Sequence, residues 1–396
     1  MKNFLSYLLS LESKGIKLGL ERTYDILNAC DNPQNHIKTI QVVGTNGKGS
    51  TSAIIANIFK QANYKVGLYT SPHLKKINER IRINGVSISD DDIIQFVTSY
   101  QNDINSLNIS FFEAMTALAL WYFKNNNVDI AILETGLGGR LDSVTACKPE
   151  LVVFTPISLD HQHILGETIE EITQEKAGAM KKNIPCISAP QVQLAQKILN
   201  EHASKLNTTI DYINYEINDH LNLNGIHQKM NAALAISSIT YLKQFHINDS
   251  HISKALETIS WPARIQKIST KPLTFFDVAH NETSFLYLCE FVNSLKIKDQ
   301  KILILAIQQH KHFYSALKKI ESTFDLIILT QTNTRNFLSA QDLDQKLYKK
   351  NTRIINNPEE AISTYKDSNA GCIVIAGSHY LGPVISRIFK ISFEKI

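Results

Sequence analysis

Short apolar runs alternate with amphipathic stretches along most of the chain. In the N-terminal part, the runs that read as strands are Ile40–Val43, Lys65–Tyr69, Asp129–Glu134, Leu151–Ile157 and Cys186–Ala189. Between them, apolar residues recur at helical spacing over Ser52–Ala62, Asp90–Asp103, Phe112–Lys124, Ile169–Lys182 and Gln191–Lys205. This alternation predicts a mostly parallel sheet with helices on both faces.

A second unit follows a break in the pattern. Two helical segments, His227–Phe245 and His251–Ile259, occur without a strand between them, and Trp261-Pro262 ends the pair. A chain of 396 residues is too long for one compact core. We therefore expect two domains, residues 1–265 and residues 266–396. The alternation restarts in the second, with strands at Leu273–Val278, Lys301–Ile307, Phe324–Thr330 and Cys372–Ala376.

The composition is that of an ordinary globular protein, with 43% hydrophobic and 20% charged residues. A net charge of +4 without a long basic run gives no indication of a nucleic-acid partner. The five cysteines are far apart and never form C-x-x-C, which argues against disulfides and zinc and favours a reducing compartment. The N-terminus reads as an amphipathic helix rather than a signal peptide, and no run reaches membrane-spanning length. We expect a cytoplasmic monomer that acts on small molecules, away from membranes.

A glycine-rich turn between a strand and a helix is the most informative motif. It reads GTNGKGST, follows Val43 and precedes the helical spacing that starts at Ile54. Such a turn points backbone N–H groups and a helix N-terminus at one anion, while Lys48 adds positive charge. Its spacing is shorter than G-x-x-x-x-G-K-[ST], and the alternative is a glycine turn before an ordinary helix. We predict a nucleotide site formed by Gly44, Thr45, Asn46, Gly47, Lys48, Gly49, Ser50 and Thr51.

Polar residues follow the neighbouring strands. Glu134 ends one strand, and Asp160-His161 comes just after another. Because ligands gather beyond the carboxyl ends of parallel strands, both should face the phosphate loop, where they suit a divalent ion. The alternative is that they are surface residues past strand ends. For the fold class we predict an α/β protein. Its N-terminal domain would be a P-loop-type, mostly parallel sheet, and its smaller C-terminal domain would be Rossmann-like.

Lys176 lies on the apolar face of its own helix. Thr168 and Glu171 have the spacing of a capping box at the start of this helix, and Ile172 and Met180 lie four residues before and after the lysine. A buried ammonium is costly unless it is paired, modified or deprotonated. Either Lys176 serves the site, or its side chain reaches the rim of the helix and water.

Other candidates carry less information individually. Ser71-Pro72-His73 follows a strand, and Arg80 and Arg82 could bind carboxylates or belong to a solvated strand face. A second domain could close a cleft over a nucleotide by offering charge and hydrogen bonds. The candidates around the domain boundary and the strand that follows it are Arg264, Asp277, His280 and Asn281. His227 and Asn231, on the helix before the boundary, are two further candidates.

The segments GTNGKGS, SPHLKKINERIRING, FFEAMTALAL, ILETGLGGRLD, SLDHQHILGETIEEITQEKAG and DVAHN occur in this order over nearly the whole chain. Together they resemble folylpolyglutamate synthases and dihydrofolate synthases of the Mur ligase superfamily. The resemblance implies an ATP-dependent ligase that joins L-glutamate to dihydropteroate, to the glutamate tail of reduced folates, or to both, and we expect both reactions. A substrate carboxylate would attack ATP to give an acyl phosphate, from which glutamate displaces phosphate. That route needs charge neutralisation and positioning more than a strong base.

The resemblance also implies roles for the candidate residues. Lys48 and its loop would hold the phosphates, and two Mg²⁺ ions would assist. One ion would be held by Ser50, Ser71 and Glu134 and the other by His161, with Lys176 carbamylated and therefore negative. The remaining implied positions are Asn231 near adenine, Arg264 near the phosphates, Asp277 and catalytic His280 on the C-terminal side, and Phe112 and Asp142 at the pterin pocket. Arg80, which could bind a carboxylate, completes the residues expected at the substrate.

The chain departs from the family pattern in its C-terminal part. WPAR replaces a Pro-Gly-Arg turn at Ala263, Glu282 replaces a proline, and GSHYLGP matches the closing Gly-Ser motif loosely. Two alternatives stay open: a Mur-type ligase acting on a cell-wall precursor, and a nucleotide-binding regulator without ligase activity. The stretch LETGLGGRLD favours the folate branch, and a regulator would not need Glu134, His161 and Lys176 together.

Overall fold

The computed structural model describes residues 2–15, 19–217, 219–309, 311–332, 337–348 and 351–396. Within these ranges the strands form an eight-stranded sheet and a six-stranded sheet, each covered by helices. The two-domain α/β fold predicted from the alternation is therefore confirmed.

The first sheet is parallel apart from one edge. Its strand order is β4-β3-β2-β5-β1-β6-β7-β8, and only the β2–β3 and β3–β4 pairs are antiparallel among the described pairs. These strands are mostly buried on both faces, which explains their nearly continuous apolar runs. Their bounds are β1 Lys38–Val43, β2 Val66–Tyr69, β3 Ile81–Ile83, β4 Val86–Ser87, β5 Ile130–Glu134, β6 Leu151–Phe154, β7 Cys186–Ser188 and β8 Ile210–Tyr212.

Side chains alternate between two cores across this sheet. In β5, Ala131 and Leu133 pack with α1, α2, α4 and α5, whereas Ile130 and Ile132 pack with α3, α9 and α10. The central strands thus hold the loops at their carboxyl ends between two rigid layers. The helices are α1 Lys2–Ser10, α2 Glu21–Ala29, α3 Lys48–Gln61, α4 Asp90–Ser106, α5 Phe111–Asn125, α6 Gln162–Leu165, α7 Ile169–Ala177, α8 Gln193–Lys205, α9 Ile226–Ile239 and α10 Asp249–Thr258.

The second sheet has the order β13-β12-β11-β14-β10-β9, and only β9 pairs antiparallel among its described strands. Its strands are β9 Gln266–Thr270, β10 Leu273–Phe276, β11 Lys301–Leu305, β12 Leu326–Leu329, β13 Thr352–Ile354 and β14 Cys372–Ala376. Its helices are α11 Glu282–Ser294, α12 Leu317–Thr323, α13 Ala340–Asp344, α14 Pro358–Tyr365 and α15 Gly382–Phe389.

The domains touch through an apolar contact beside their covalent link, which we call the pivot side. Leu74 of the first domain packs in the core of the second, and a Cβ added at Gly382 would lie 2.4 Å from the Leu74 carbonyl oxygen. Phe393 is buried in that same core, whereas Ile396 packs on the core of the first domain. Arg82 donates to the Phe393 carbonyl at 2.8 Å. Residues 393–396 therefore form a strap between the domains.

Several short elements were not predicted. The strands β3, β4, β8, β9 and β13 have between two and five residues each, and they lie at or near sheet edges. The predicted helix Ile169–Lys182 ends earlier, at Ala177. In the part of the chain that the structure describes, no helix combines the length and apolarity needed to cross a bilayer.

Candidate active site

One cavity of about 290 Å³ lies between the domains, at the carboxyl ends of both sheets. Loops that follow β1, β2, β5 and β6 enter it from one side, and loops that follow β10 and β14 enter from the other. The structure brings most predicted site residues to its wall. They are Thr45, Asn46, Gly47, Lys48, Gly49, Ser50, Ser71, Arg80, Phe112, Glu134, His161, Asn231, Arg264, Asp277 and His280.

The phosphate loop needs its glycines because other groups approach it closely. A Cβ at Gly44, where φ is 148°, would lie 2.0 Å from the Thr155 hydroxyl oxygen. A Cβ at Gly47, where φ is 90°, would lie 2.4 Å from Asn231 Oδ1. Helix α3 begins directly afterwards at Lys48 and aims its N-terminus at the cavity. The prediction of a strand, a glycine turn and a helix is confirmed in geometry.

Hydroxyl and carboxylate oxygens lie around the loop. The Ser50 hydroxyl is buried and has no hydrogen-bond partner among the described residues, and Thr51, also buried, lies outside the cavity wall. Glu134 is 4% exposed and accepts from the Ser71 amide at 3.1 Å. Burial raises the pKa of Glu134, and the nearby Lys48 ammonium opposes that shift. The alternative that Glu134 is a surface residue is wrong.

Asp160 and His161 follow β6. His161 takes a left-handed backbone conformation with φ of 54°, and its partly exposed side chain lines the cavity. Burial lowers the pKa of His161 to about 3, although Asp160 opposes the shift. A neutral imidazole is the form that can bind a metal. Among the described residues, no three His, Cys, Asp or Glu side chains converge as a metal-binding group.

Lys176 is fully inside the protein. Its helix α7 starts with the predicted capping box of Thr168 and Glu171. The lysine is 4% exposed, and its Nζ donates to the Gly44 carbonyl at 2.8 Å. Lys48 Nζ donates to the same carbonyl at 3.2 Å. The buried position predicted from periodicity is confirmed, and the alternative of a side chain reaching water is wrong.

Burial, followed by the Lys48 charge, lowers the pKa of Lys176 from 10.5 to about 7. Below about pH 7, the pKa of Lys176 in the folded protein, folding buries a charged ammonium. Above pH 10.5, the pKa in the unfolded chain, Lys176 is neutral in both the folded and the unfolded state. The stability contribution of Lys176 is therefore complete above the unfolded pKa and is lost as pH falls through the folded pKa. For the unmodified amine, in buffer freed of CO₂, we expect the melting temperature to rise relative to Lys176→Met between roughly pH 7 and pH 10. Calorimetry checks this, and a difference that stays constant with pH would contradict it.

Arg80 is 4% exposed, so the alternative of a solvated strand face is wrong for it. Its Nε donates to His73 Nδ1 at 2.9 Å, and its guanidinium carbon lies 5.1 Å from the centroid of the Phe111 ring. Burial, together with Arg80, lowers the pKa of His73 to about 3, so His73 is a neutral acceptor. Arg80 Nη1 is buried and has no partner in the part of the chain that the structure describes, which leaves a donor for an anionic ligand.

A second cavity of about 130 Å³ adjoins the first. Phe112 lines both cavities, and Asp142 lines only the second. The Asp142 carboxylate accepts from the Leu137 amide at 2.9 Å and from the Val144 amide at 3.1 Å. Asp142 therefore shapes the loop after β5.

The second domain closes the cavity with charged groups. Burial raises the pKa of Asp277, whose carboxylate accepts from the Ile265 amide at 2.7 Å and the Ala279 amide at 2.6 Å. Burial lowers the pKa of Arg264, while Asp277 and Glu134 oppose the shift. His280 Nδ1 lies 2.8 Å from the Val278 carbonyl, so its Nε2 points toward Asp160.

A polar and aromatic patch lines the far end of the cavity. Asn231 donates to Gln228 at 3.0 Å, and the His227 ring stacks on Tyr287 of the second domain at 4.7 Å between centroids. Burial and Arg264 lower the pKa of His227 to about 4.

Sequence reasoning missed Lys311, Tyr287 and His379 and gave Asp160 no role. Lys311 Nζ reaches Asp160 at 2.9 Å, and His379 lines the cavity after β14. The rule that ligands gather at the carboxyl ends of strands could have found Lys311 and His379, because they follow β11 and β14. Tyr287 offered no comparable signal in the pattern.

Comparison with known proteins decides the family. The Mur ligase middle domain matches residues 42–185, and the glutamate ligase domain of Mur ligases matches residues 263–379. The dihydrofolate synthase/folylpolyglutamate synthase of Bacillus subtilis is 30% identical over 411 residues, covering 94% of this chain and 96% of that one. The chain belongs to the dihydrofolate synthase/folylpolyglutamate synthase family.

Solved structures agree with this family. The Escherichia coli protein FolC, in complex with DHPP and ADP, has a TM-score of 0.89 and 26% identity, covering 98% of this chain and 96% of that one. The bifunctional folylpolyglutamate synthase/dihydrofolate synthase of Yersinia pestis, complexed with AMPPNP and a Mn ion, has a TM-score of 0.88 and 27% identity over 98% of both chains. The family therefore shares the whole two-domain architecture.

Proposed function

We propose that the chain is an ATP-dependent amide ligase that joins L-glutamate to dihydropteroate, to the glutamate tail of reduced folates, or to both. The observation that carries the proposal is the convergence of Lys48 and Lys176 on the Gly44 carbonyl, within a phosphate loop enclosed by cations of both domains. A carboxylate activated by ATP requires this concentration of positive charge. The relatives' names and the ADP and AMPPNP complexes support the same reaction.

ATP would bind with its phosphates at residues 44–51 and its base near Asn231. The α3 N-terminus offers amide groups to the phosphates, and the Lys48 ammonium, now folded onto the loop, can turn toward them. Arg264 enters from the domain link. The stacked His227–Tyr287 pair borders the end assigned to adenine.

The residues present fit Mg²⁺. The unpartnered Ser50 hydroxyl, Ser71 and the Glu134 carboxylate offer the oxygen donors that Mg²⁺ takes beside nucleotide phosphates. His161 offers a neutral nitrogen for a second ion. When bound, the ions would neutralise phosphate charge and polarise the γ-phosphorus.

Lys176 would carry a carbamate. Only a neutral amine adds CO₂, and burial holds the pKa of Lys176 near 7, where a large fraction is neutral. The addition forms an N–C bond and releases one proton, so that a negative group replaces the buried ammonium beside Lys48. Burying two cations on one carbonyl is unfavourable, and the carbamate would turn that repulsion into attraction.

The two adjoining cavities suit an acid with an aromatic body. The pterin would occupy the smaller one, lined by Phe112 and Asp142, and its carboxylate would extend toward the phosphates. Arg80 Nη1 is the donor for a substrate carboxylate, because it is buried and unpartnered. A carboxylate oxygen attacks the γ-phosphorus and ADP leaves. The glutamate nitrogen then attacks the acyl carbon, loses a proton, and phosphate leaves.

During these steps the protein holds charge and excludes water. Lys48 and Arg264 stabilise negative charge on the phosphates, and His280 faces the reacting centre from the second domain. The domain boundary at 265/266 stays a prediction, supported by the start of β9 at Gln266. The monomeric state and cytoplasmic location stay predictions as well.

The test is release of ADP by the purified protein with ATP, Mg²⁺ and L-glutamate, with dihydropteroate or tetrahydrofolate as acceptor. We expect turnover that requires both glutamate and a pterin. The same assay with cell-wall nucleotide precursors in place of the pterin tests the alternative of a cell-wall Mur ligase, which would release ADP with those precursors instead. ATP binding without amino-acid-dependent hydrolysis would identify a regulator and contradict the proposal.

A further inference from the structure

Asp160 of the first domain meets three side chains of the second. Its Oδ1 is 2.9 Å from Lys311 Nζ, and its Oδ2 is 3.4 Å from His280 Nε2 and 3.5 Å from Asn281 Nδ2. Both charged partners are well shielded, with side-chain exposures of 9% for Asp160 and 14% for Lys311. The contact therefore loses little strength to solvent screening.

The Asp160 carboxylate is held in place from its own side. The backbone amide of His161 donates to Oδ1 at 2.9 Å, so the carboxylate is oriented independently of the second domain. Next to it, Asn281 donates to Asn46 Oδ1 at 2.9 Å and also caps α11. The phosphate loop, the end of β6 and the second domain thus meet at one polar cluster.

The pivot side of the interface has different chemistry. There, Leu74 and Phe393 are buried in a shared core, and strap carbonyls accept from Arg82. Removal of one charge at Asp160 would leave those contacts unchanged. Widening the cleft about the pivot side would separate Asp160 from Lys311 first, because the cluster lies at the cavity whereas the pivot side adjoins the covalent link.

We propose that Asp160 is a positioning residue that, by pairing with Lys311, latches the second domain over the phosphate loop and holds His280 against the reacting groups. The proposal rests on the proposed function for its activity readout only. Asp160 need not touch substrate, because it acts through the two side chains that it orients. Opening of the latch would let substrates enter and products leave.

The test compares Asp160→Asn, Lys311→Met and the double variant. Asparagine keeps the shape and removes the charge, so we expect kcat to fall about 10- to 100-fold with little change in KM for ATP. Each single change breaks the same contact, so the double variant should be no worse than the more severe single one. Lys197→Met, which removes an exposed ion pair on α8, is the matched control and should keep full activity.

A distance measurement reads the latch directly. The five cysteines are all buried, so nitroxide labels can be attached to Glu167→Cys and Glu290→Cys, both exposed and in different domains. With AMPPNP and Mg²⁺ we expect one narrow distance distribution in the native protein and a longer, broader one in Asp160→Asn, at unchanged melting temperature.

Unchanged distances in Asp160→Asn, or kcat losses that multiply in the double variant, would overturn the latch. The distance result does not depend on pterin turnover. If the native protein releases no ADP with any pterin, the proposed function fails while the distances still decide the latch.

Discussion

Lys176→Ala is expected to lower glutamate-dependent ADP release by about 10²- to 10³-fold, the range seen when one preorganised charge is removed from an active site. The physical reason is the position of Lys176 Nζ, buried at 2.8 Å from the Gly44 carbonyl beside Lys48. Without the proposed carbamate, Lys48 loses one of the negative groups around it, which also include Glu134 and Asp142, and His161 loses its partner in holding the second metal ion. A coupled ADP assay measures the loss.

Two further variants separate the carbamate from simple packing. Lys176→Arg should not recover activity, because a guanidinium stays protonated and does not add CO₂. Formate or acetate should partly restore Lys176→Ala, since a small carboxylate can replace the missing negative group. Lys182→Ala, an exposed lysine shortly after α7, is the control and should behave as the native protein. Full activity of Lys176→Ala would contradict the assignment.

Gly44→Ala is expected to cause a large loss of stability. The added Cβ would lie 2.0 Å from Thr155 Oγ1 and 2.8 Å from the Thr155 carbonyl oxygen, so β1 and β6 would have to move apart. Overpacking of a rigid core with a positive φ costs roughly 3 kcal/mol or more. We expect a clear drop in melting temperature by calorimetry, together with loss of ATP binding.

The matched control is Gly136→Ala. Its nearest neighbours to an added Cβ are 3.4 Å away, which is ordinary contact, and its φ is not in the left-handed region. We expect its melting temperature to stay close to that of the native protein. If the two substitutions changed the melting temperature equally, the crowding at Gly44 would relax at little cost in free energy and the prediction would be wrong.

The spacing of apolar residues and the residues at strand ends were enough to predict the buried strands and several residues of the site. The buried strands were found because helices cover both faces of each sheet, so that the strands read as apolar runs. Glu134 and His161 were placed at one crevice only because Glu134 ends β5 and His161 follows β6. Lys176 was recognised as buried because Ile172 and Met180 share its helix face.

The misses also have physical causes. Arg80 and Arg82 look solvated in a charged stretch, and only tertiary packing against Phe111 and residues 393–394 buries them. Edge strands are too short to show an alternating pattern. Ala263 occupies the left-handed region with φ of 56°, so the backbone follows the turn that a glycine would make despite the substitution. The position of Lys311 after β11 could have placed it at the cleft, but no local pattern encodes its pairing with Asp160 of the other domain.

The domain link passes close to the phosphate loop through Trp261. A Cβ at Gly49 would lie 3.1 Å from Trp261 Nε1, and the Arg82 guanidinium carbon lies 5.9 Å from its ring centroid. The chain's other tryptophan, Trp121, lies in a separate core, where its ring centroid is 5.6 Å from that of Phe96. Indole emission depends on nearby charge, so a Trp121→Phe protein carries an optical reporter whose signal follows nucleotide arrival in real time without any attached dye.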